Sequence, residues 1–164
     1  MTARLATAAD AAVIARIYNQ GIAERNATFE TRLRSEEEVR AWFDGRHPVV
    51  VVEQEGEVIA FAATFAYSPR ACYAGIAEVS LYVERGARRR GAGRLAVTEL
   101  LDAAEAAGFW KLVSRIFTDN LASRRVAQML GFREVGIYEK HGCLDGVWRD
   151  VVIIERLLPA NLRT

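Results

Sequence analysis

The stretch Ile76-Ala77-Glu78-Val79-Ser80-Leu81-Tyr82-Val83, followed by Glu84 to Ala87 and then Arg88-Arg89-Arg90-Gly91-Ala92-Gly93-Arg94, decides the fold. Its first eight residues read as a strand. Side chains alternate along a strand, so Glu78, Ser80 and Tyr82 share one face while Val79, Leu81 and Val83 share the other. One face therefore carries a carboxylate, a hydroxyl and a phenol in a row, and the opposite face is purely apolar. The second half is a glycine-bearing loop that opens a helix over Gly91 to Ala107, stopped by Gly108. A strand feeding such a loop at a helix N-terminus is a device for binding phosphate, because free backbone N–H groups and the positive end of the helix dipole point at the ligand. Gly91 and Gly93 remove side chains that would hold an anion away, and the flanking arginines add charged donors. A basic turn with solvated arginines is the alternative for the loop alone. No Gly-Lys-Ser/Thr follows, which excludes a P-loop, and the third glycine and distant acid of a dinucleotide fold are missing.

Working outward, Thr7 with Asp10 and Ser35 with Glu38 have the spacing of capping boxes, each ahead of an amphipathic helix. Arg25 to Arg34 between them reads as a polar loop carrying one exposed aromatic, Phe29. Val49–Val52, the turn Glu55-Gly56 and Val58–Phe65 read as a hairpin. Leu112–Phe117 is a strand, Asn120–Leu130 a helix closed by Gly131, and Phe132–Tyr138 and Val147–Leu157 two final strands. A first strand is expected near Arg4–Ala6. The order β-α-α-β-β-β-α-β-α-β-β predicts an α/β fold with a central mixed sheet flanked by helices, in a single domain over residues 1–164.

Composition narrows the classes. The 164 residues carry 22 Lys+Arg against 21 Asp+Glu, a net charge of +1. Five of the arginines fall between Arg85 and Arg94 with no acid among them, so the rest of the chain is net acidic. That pattern fits one small polyphosphate partner better than a nucleic acid, whose binders interleave aromatics with the basic residues. Neither an apolar signal core in Met1–Asp10 nor a run long enough to span a bilayer is present, so a cytoplasmic protein is expected. Cys72 and Cys143 lack metal-like spacing and read as free thiols, with no metal cofactor expected.

Arg88-x-x-Gly91-x-Gly93 after Leu81-Tyr82-Val83 resembles the acetyl-CoA motif of the GCN5-related N-acetyltransferases. Asn120-x-x-Ser123 and Leu130-Gly131-Phe132 fall where that superfamily has its second cofactor helix and closing Gly-Phe. Tyr18-Asn19, Thr28-Phe29-Glu30-Thr31, Ala77 to Val83, Gly108-Phe109 and Gly146-x-Trp148-x-Asp150 look most like the phosphinothricin/arsinothricin acetyltransferases. The resemblance covers essentially the whole chain. It implies acetyl-CoA as co-substrate and transfer of acetyl to the free amino group of a small glutamate-analogue amino acid, a detoxifying or resistance activity. It also implies a homodimer through the terminal strand pair.

Residue by residue, the resemblance makes Glu78 the general base that relieves the acceptor ammonium of its proton, which the attack on a thioester requires. Backbone groups at Leu81, Tyr82 and Val83 would hold the pantetheine arm and supply an oxyanion donor. Arg88, Arg89, Arg90, Gly91, Ala92, Gly93 and Arg94 would cradle the pyrophosphate, with Asn120 and Ser123 on the second cofactor helix. Phe29, Arg70 and Tyr73 match substrate-pocket positions. One departure concerns the thiolate's proton donor: a Tyr or His in relatives is Ala127 here, so either the thiolate leaves unprotonated or another group such as Tyr82 or Tyr138 serves. A second concerns a substrate-site His, replaced by Asp145, with His141 four residues earlier a substitute if its loop folds inward. Two other readings remain open: an acetyltransferase for another small amine or a protein N-terminus, and a non-catalytic acyl-CoA-binding module.

Overall fold

The computed structural model describes residues 1–162, and its centre is a seven-stranded sheet in the order β1-β2-β3-β4-β5-β7-β6. The strands are β1 (Thr2–Leu5), β2 (Val49–Gln54), β3 (Glu57–Ala66), β4 (Ile76–Val83), β5 (Lys111–Phe117), β6 (Arg133–Leu144) and β7 (Val147–Leu157). The helices are α1 (Ala11–Glu24), α2 (Glu36–Arg40), α3 (Ala92–Ala106) and α4 (Leu121–Met129). All neighbouring strands are antiparallel except β4 and β5, so the sheet is mixed, as expected.

The valine run of β2 shows why two helical layers are needed. Val49 and Val51 pack with α1, α2, Phe61 and Ala63, whereas Val50 and Val52 pack with α3, Ala60 and Ala62. A strand apolar on both faces is stable only when both are covered. In α3, Ala96, Leu100 and Ala104 are fully buried, completing the core beneath β2 and β3.

Several boundaries differ from expectation for local reasons. The first strand is Thr2–Leu5, starting two residues and ending one residue before the expected Arg4–Ala6. The Thr7–Asp10 box caps a short 3-10 turn, Ala8–Asp10, before α1 begins. Asp10 also takes both terminal nitrogens of Arg4 at 2.9 Å, tying β1 to that turn and holding its own carboxyl below the usual range. The largest departure lies at the end of the chain. The strand expected over Phe132–Tyr138 runs on as β6 to Leu144, and the register slips between Tyr138 and Gly142. Four steps on β6 there oppose two on β7, a bulge in the strand.

Candidate active site

The parallel ladder between β4 and β5 has only three residue pairs, Ile76 with Lys111, Ala77 with Leu112 and Glu78 with Val113. β4 continues to Val83 and β5 to Phe117, so beyond Glu78 the two strands diverge and leave a wedge in the middle of the sheet. On the other side β4 remains paired with β3 through Val83. Ser114 stands where the ladder ends, and its hydroxyl donates to the Val79 carbonyl at 2.8 Å. Since the N–H and C=O of one strand residue point the same way, Val79 facing β5 places the backbone groups of Leu81 and Val83 toward the wedge too. The wedge is lined by Val79 to Tyr82, Ser114 to Ile116 and the α4 residues Ser123, Val126 and Ala127.

The loop after β4 reaches α3 through Gly91, whose φ of +87° is left-handed. The space beyond its missing Cβ is open, so glycine is required there by backbone conformation. Gly93 is different: a Cβ would lie 3.3 Å from Leu81 Cδ2 and 3.5 Å from Val83 Cγ2, so the glycine lets α3 sit close on β4. Arg88 has protein partners of its own. Its guanidinium is clasped by Glu24 in two 2.8 Å bonds, and its Nε donates to the Val83 carbonyl at 3.3 Å. It therefore braces the loop against α1 instead of offering its fork. Arg88, opposed by partial burial and helped by Arg85, holds the Glu24 carboxyl below the usual range. Arg89, Arg90 and Arg94 are exposed along the loop and first turn.

Beside the wedge, on the α1 side of the sheet, lies a cleft lined by Phe29, Glu78, Ser80, Tyr82, Arg115 and His141. It continues past Glu78 to Tyr67, Arg70, Tyr73 and Lys111. Glu78 and His141 line both parts, Phe29 the first, and Arg70 and Tyr73 the second. Phe29 is not the exposed aromatic of a free loop. It packs edge-on to Phe117 at 4.8 Å and covers Gly142, where a Cβ would come within 2.7 Å of its ring. Its loop is pinned by Asn19, which both donates to the Arg34 carbonyl and accepts from the Arg34 N–H at 2.9 Å.

His141 enters the cleft from the β6 bulge, where Lys140 has a φ of +48° and its N–H donates to Asp150 Oδ1 at 2.7 Å. The residue expected in a loop is thus on a distorted strand, anchored by an aspartate opposite. Asp145 lies instead in the β6–β7 turn, 3.5 Å from Arg25, and does not line the cleft. Sequence reasoning missed Arg115 and Ser114. Arg115 Nη2 donates to Glu78 Oε1 at 3.0 Å, and its Nη1 lies 3.5 Å from His141 Nε2.

Tyr82 lines both wedge and cleft. Its ring stacks on Phe61 at 5.6 Å, lies 5.0 Å from Tyr18, and leaves no room for a Cβ on Gly21. Burial, reinforced by Tyr18, pushes its phenol well above the ordinary range, so it stays a protonated donor. Asn120 caps α4 by accepting from the Ser123 N–H at 3.3 Å. That bond explains Asn120 as the start of a helix facing the wedge. Among the described residues there is no cluster of three or more His, Cys, Asp or Glu poised for a metal. No described helix is long and apolar enough to cross a membrane.

A model of the acetyltransferase (GNAT) family matches residues 16–132. A phosphinothricin N-acetyltransferase of Streptomyces coelicolor is 34% identical over 87% of this chain and 87% of its own length. An L-methionine sulfoximine/L-methionine sulfone acetyltransferase of Salmonella typhimurium is 30% identical over 94% of this chain and 93% of its own. Among solved structures, a GNAT-superfamily phosphinothricin acetyltransferase from Sinorhizobium meliloti in complex with acetyl-CoA superposes with a TM-score of 0.88. It is 31% identical, covering 96% of this chain and 88% of that one. With the split sheet, the glycine loop and these relatives in agreement, the chain belongs to the acetyltransferase (GNAT) family.

Proposed function

We propose that the protein is an acetyl-CoA-dependent N-acetyltransferase acting on the free α-amino group of a small amino acid of the phosphinothricin or arsinothricin type. The observation that carries the reading is the Glu78 carboxylate, facing a cleft that opens directly onto the split between β4 and β5. The relatives' named acceptors, phosphinothricin and methionine sulfoximine or sulfone, share an α-amino acid with a polar tetrahedral side-chain head.

The residues present fit acetyl-CoA. Beyond the last ladder pair, the backbone groups of Leu81, and those of Val83 apart from the carbonyl that Arg88 reaches, face the wedge and can bond an amide-bearing arm in strand fashion. The α3 N-terminus with Gly91, Ala92 and Gly93 offers N–H donors to phosphates, and Arg89, Arg90 and Arg94 supply positive charge around them. Asn120 and Ser123 flank the wedge from α4. When bound there, acetyl-CoA supplies an activated acetyl thioester.

Glu78 then does the chain's central work. An ammonium has no lone pair, so Glu78 takes its proton and leaves a nucleophilic amine at the mouth of the wedge. Where Ala127 has nothing to give, Tyr82 offers a phenol that burial keeps from ionising, a hydrogen-bond donor to the departing sulfur. Arg70 and Tyr73 sit farther along the cleft, where the fork of an arginine suits an oxyanionic side-chain head. Phe29 closes one wall. The outer hairpin exposes Ile137, Tyr138, Val147 and Trp148, and a two-fold homodimer covers them.

The test is thiol release from acetyl-CoA with a panel of phosphinothricin, methionine sulfone, methionine sulfoximine, simple amines and a peptide N-terminus. Fastest turnover on the amino acids is expected. Preference for the peptide or for amines without a carboxylate would overturn the substrate class, and tight acetyl-CoA binding with no acceptor turned over would make the protein a binding module.

A further inference from the structure

Arg115 is a charged cleft side chain in contact with Glu78 to which the mechanism above gives no work. It lies at the junction of the site, lining the wedge and both parts of the acceptor cleft. Alternation along β5 puts Lys111, Val113, Arg115 and Phe117 on the α1 face, so Arg115 projects beside Glu78 and not into the α3 core that holds Leu112 and Ile116. Of its five N–H donors, one makes a 3.0 Å bond to Glu78 and another a long 3.5 Å contact with His141. Its side chain is half exposed. Neighbouring cations are committed elsewhere. Lys111 is paired with Glu155, Arg34 with Glu30, and Arg149 with Asp119 while lying over the Phe117 ring.

We infer that Arg115 is a specificity-determining residue that reads the α-carboxylate of the acceptor and, by doing so, hands Glu78 to the acceptor's amine. The inference rests on the amino-acid reading above. In an α-amino acid the ammonium and the carboxylate are one carbon apart, a spacing that can meet an adjacent glutamate and arginine at the same time. Binding then exchanges one ion pair, Arg115 with Glu78, for two: Arg115 with the acceptor carboxylate and Glu78 with the acceptor ammonium. No buried charge is left alone in the exchange. An amine lacking the carboxylate must compete with Arg115 for Glu78 and offers the guanidinium nothing in return. Arg70, farther down the cleft, is left for the side-chain oxyanion, so the two arginines divide the acceptor between them.

The experiment compares methionine sulfone with its α-carboxamide, which shares the side chain and amine but has no carboxylate. Steady-state kinetics at saturating acetyl-CoA are measured on the full chain for wild type, Arg115→Gln and Arg115→Lys. Wild type is expected to favour the acid in kcat/KM. In Arg115→Gln that preference should shrink by about tenfold to a hundredfold, the worth of a hydrogen bond to a charged group. Arg115→Lys should restore part of it. The KM for acetyl-CoA and the thermal midpoint should hardly move, whereas a purely structural arginine would change them and leave the acid-to-amide ratio alone. An unchanged ratio in a folded Arg115→Gln protein that still acetylates the acid overturns the role of Arg115 and leaves the amino-acid reading standing. Failure of wild type to acetylate any amino acid while it turns over other amines overturns both.

Discussion

Replacing Glu78 by Gln separates chemistry from folding. The substitution keeps the shape and one oxygen acceptor, so Arg115 Nη2 retains a partner at the position now 3.0 Å away. The lost ion pair is half exposed on the Arg115 side and about a third exposed on the Glu78 side, at 50% and 32%. Pairs of that exposure contribute about 0–1 kcal/mol, so the midpoint should fall by no more than roughly 2–4 °C. Loss of a positioned base costs far more in rate, typically about 10²–10⁴-fold, or roughly 3–5 kcal/mol of barrier. The expected result is therefore a kcat lower by at least about a hundredfold, with acetyl-CoA affinity kept, because the cofactor-facing groups of β4 are backbone groups one residue or more beyond Glu78. The residual rate should climb about tenfold per pH unit as the acceptor ammonium deprotonates unaided. Thiol release between pH 6 and 9, with calorimetric titration of acetyl-CoA alongside, reads all three quantities. Full turnover of the variant at neutral pH would refute the assignment of Glu78, and loss of acetyl-CoA binding in parallel with kcat would show that the carboxylate positions the site and does not move a proton.

Gly91→Val forces a β-branched residue into a φ of +87°, at a cost of about 1–3 kcal/mol. Since its side chain would meet open space, the damage should fall on the loop, weakening acetyl-CoA binding roughly tenfold in a titration while the acceptor KM stays put. Glu24→Gln removes the clasp on Arg88. The folded carboxyl is held below its ordinary value, so its contribution is present above the unfolded pKa of about 4.3 and lost as pH falls through the folded one. Thermal unfolding should show wild type losing its advantage over the variant between about pH 5 and the folded pKa. An advantage constant with pH would refute the clasp. Trp148→Asp, at a side chain 62% exposed on the outer hairpin, should convert a dimer to a monomer in sedimentation, and unchanged mass would exclude this hairpin as the two-fold contact.

What the sequence made legible was local. Strand, loop and helix from Ile76 to Ala107 could be read from alternation and glycine placement because both are set within a few residues. Both capping boxes were legible for the same reason. What escaped depends on partners far along the chain. Arg88 is taken up by Glu24, 64 residues away, so a fork that reads as a phosphate donor in the motif is a brace in the fold. Arg115 finds Glu78 across 37 residues and only because β5 lies parallel beside β4 in one register. A bulge is harder still, since its signal is divided between Lys140 on one strand and Asp150 on the other. His141 thus reads as a loop residue until the hairpin is closed.

The position of the site follows from how the sheet's backbone bonds are satisfied. β4 is fixed from Ala77 to Val83 by β3, so its edge toward β5 is rigid even where β5 has turned away. Each backbone group on that edge beyond Glu78 needs a partner, and Ser114 meets the need of the Val79 carbonyl. Arg88 meets part of that of the Val83 carbonyl. Between these two caps lies Leu81, whose N–H and C=O face the wedge on a strand that cannot shift to pair them elsewhere. A rigid, pre-aligned donor beside a carboxylate is costly to keep in a fold that needs only stability, because closing the ladder would satisfy it. In a fold that holds an amide-bearing arm next to a base, as we propose, the same gap serves as the binding site. On that reading Ser114 and Arg88, which meet the needs of the edge on either side of Leu81, belong to the proposed site as much as Glu78 does.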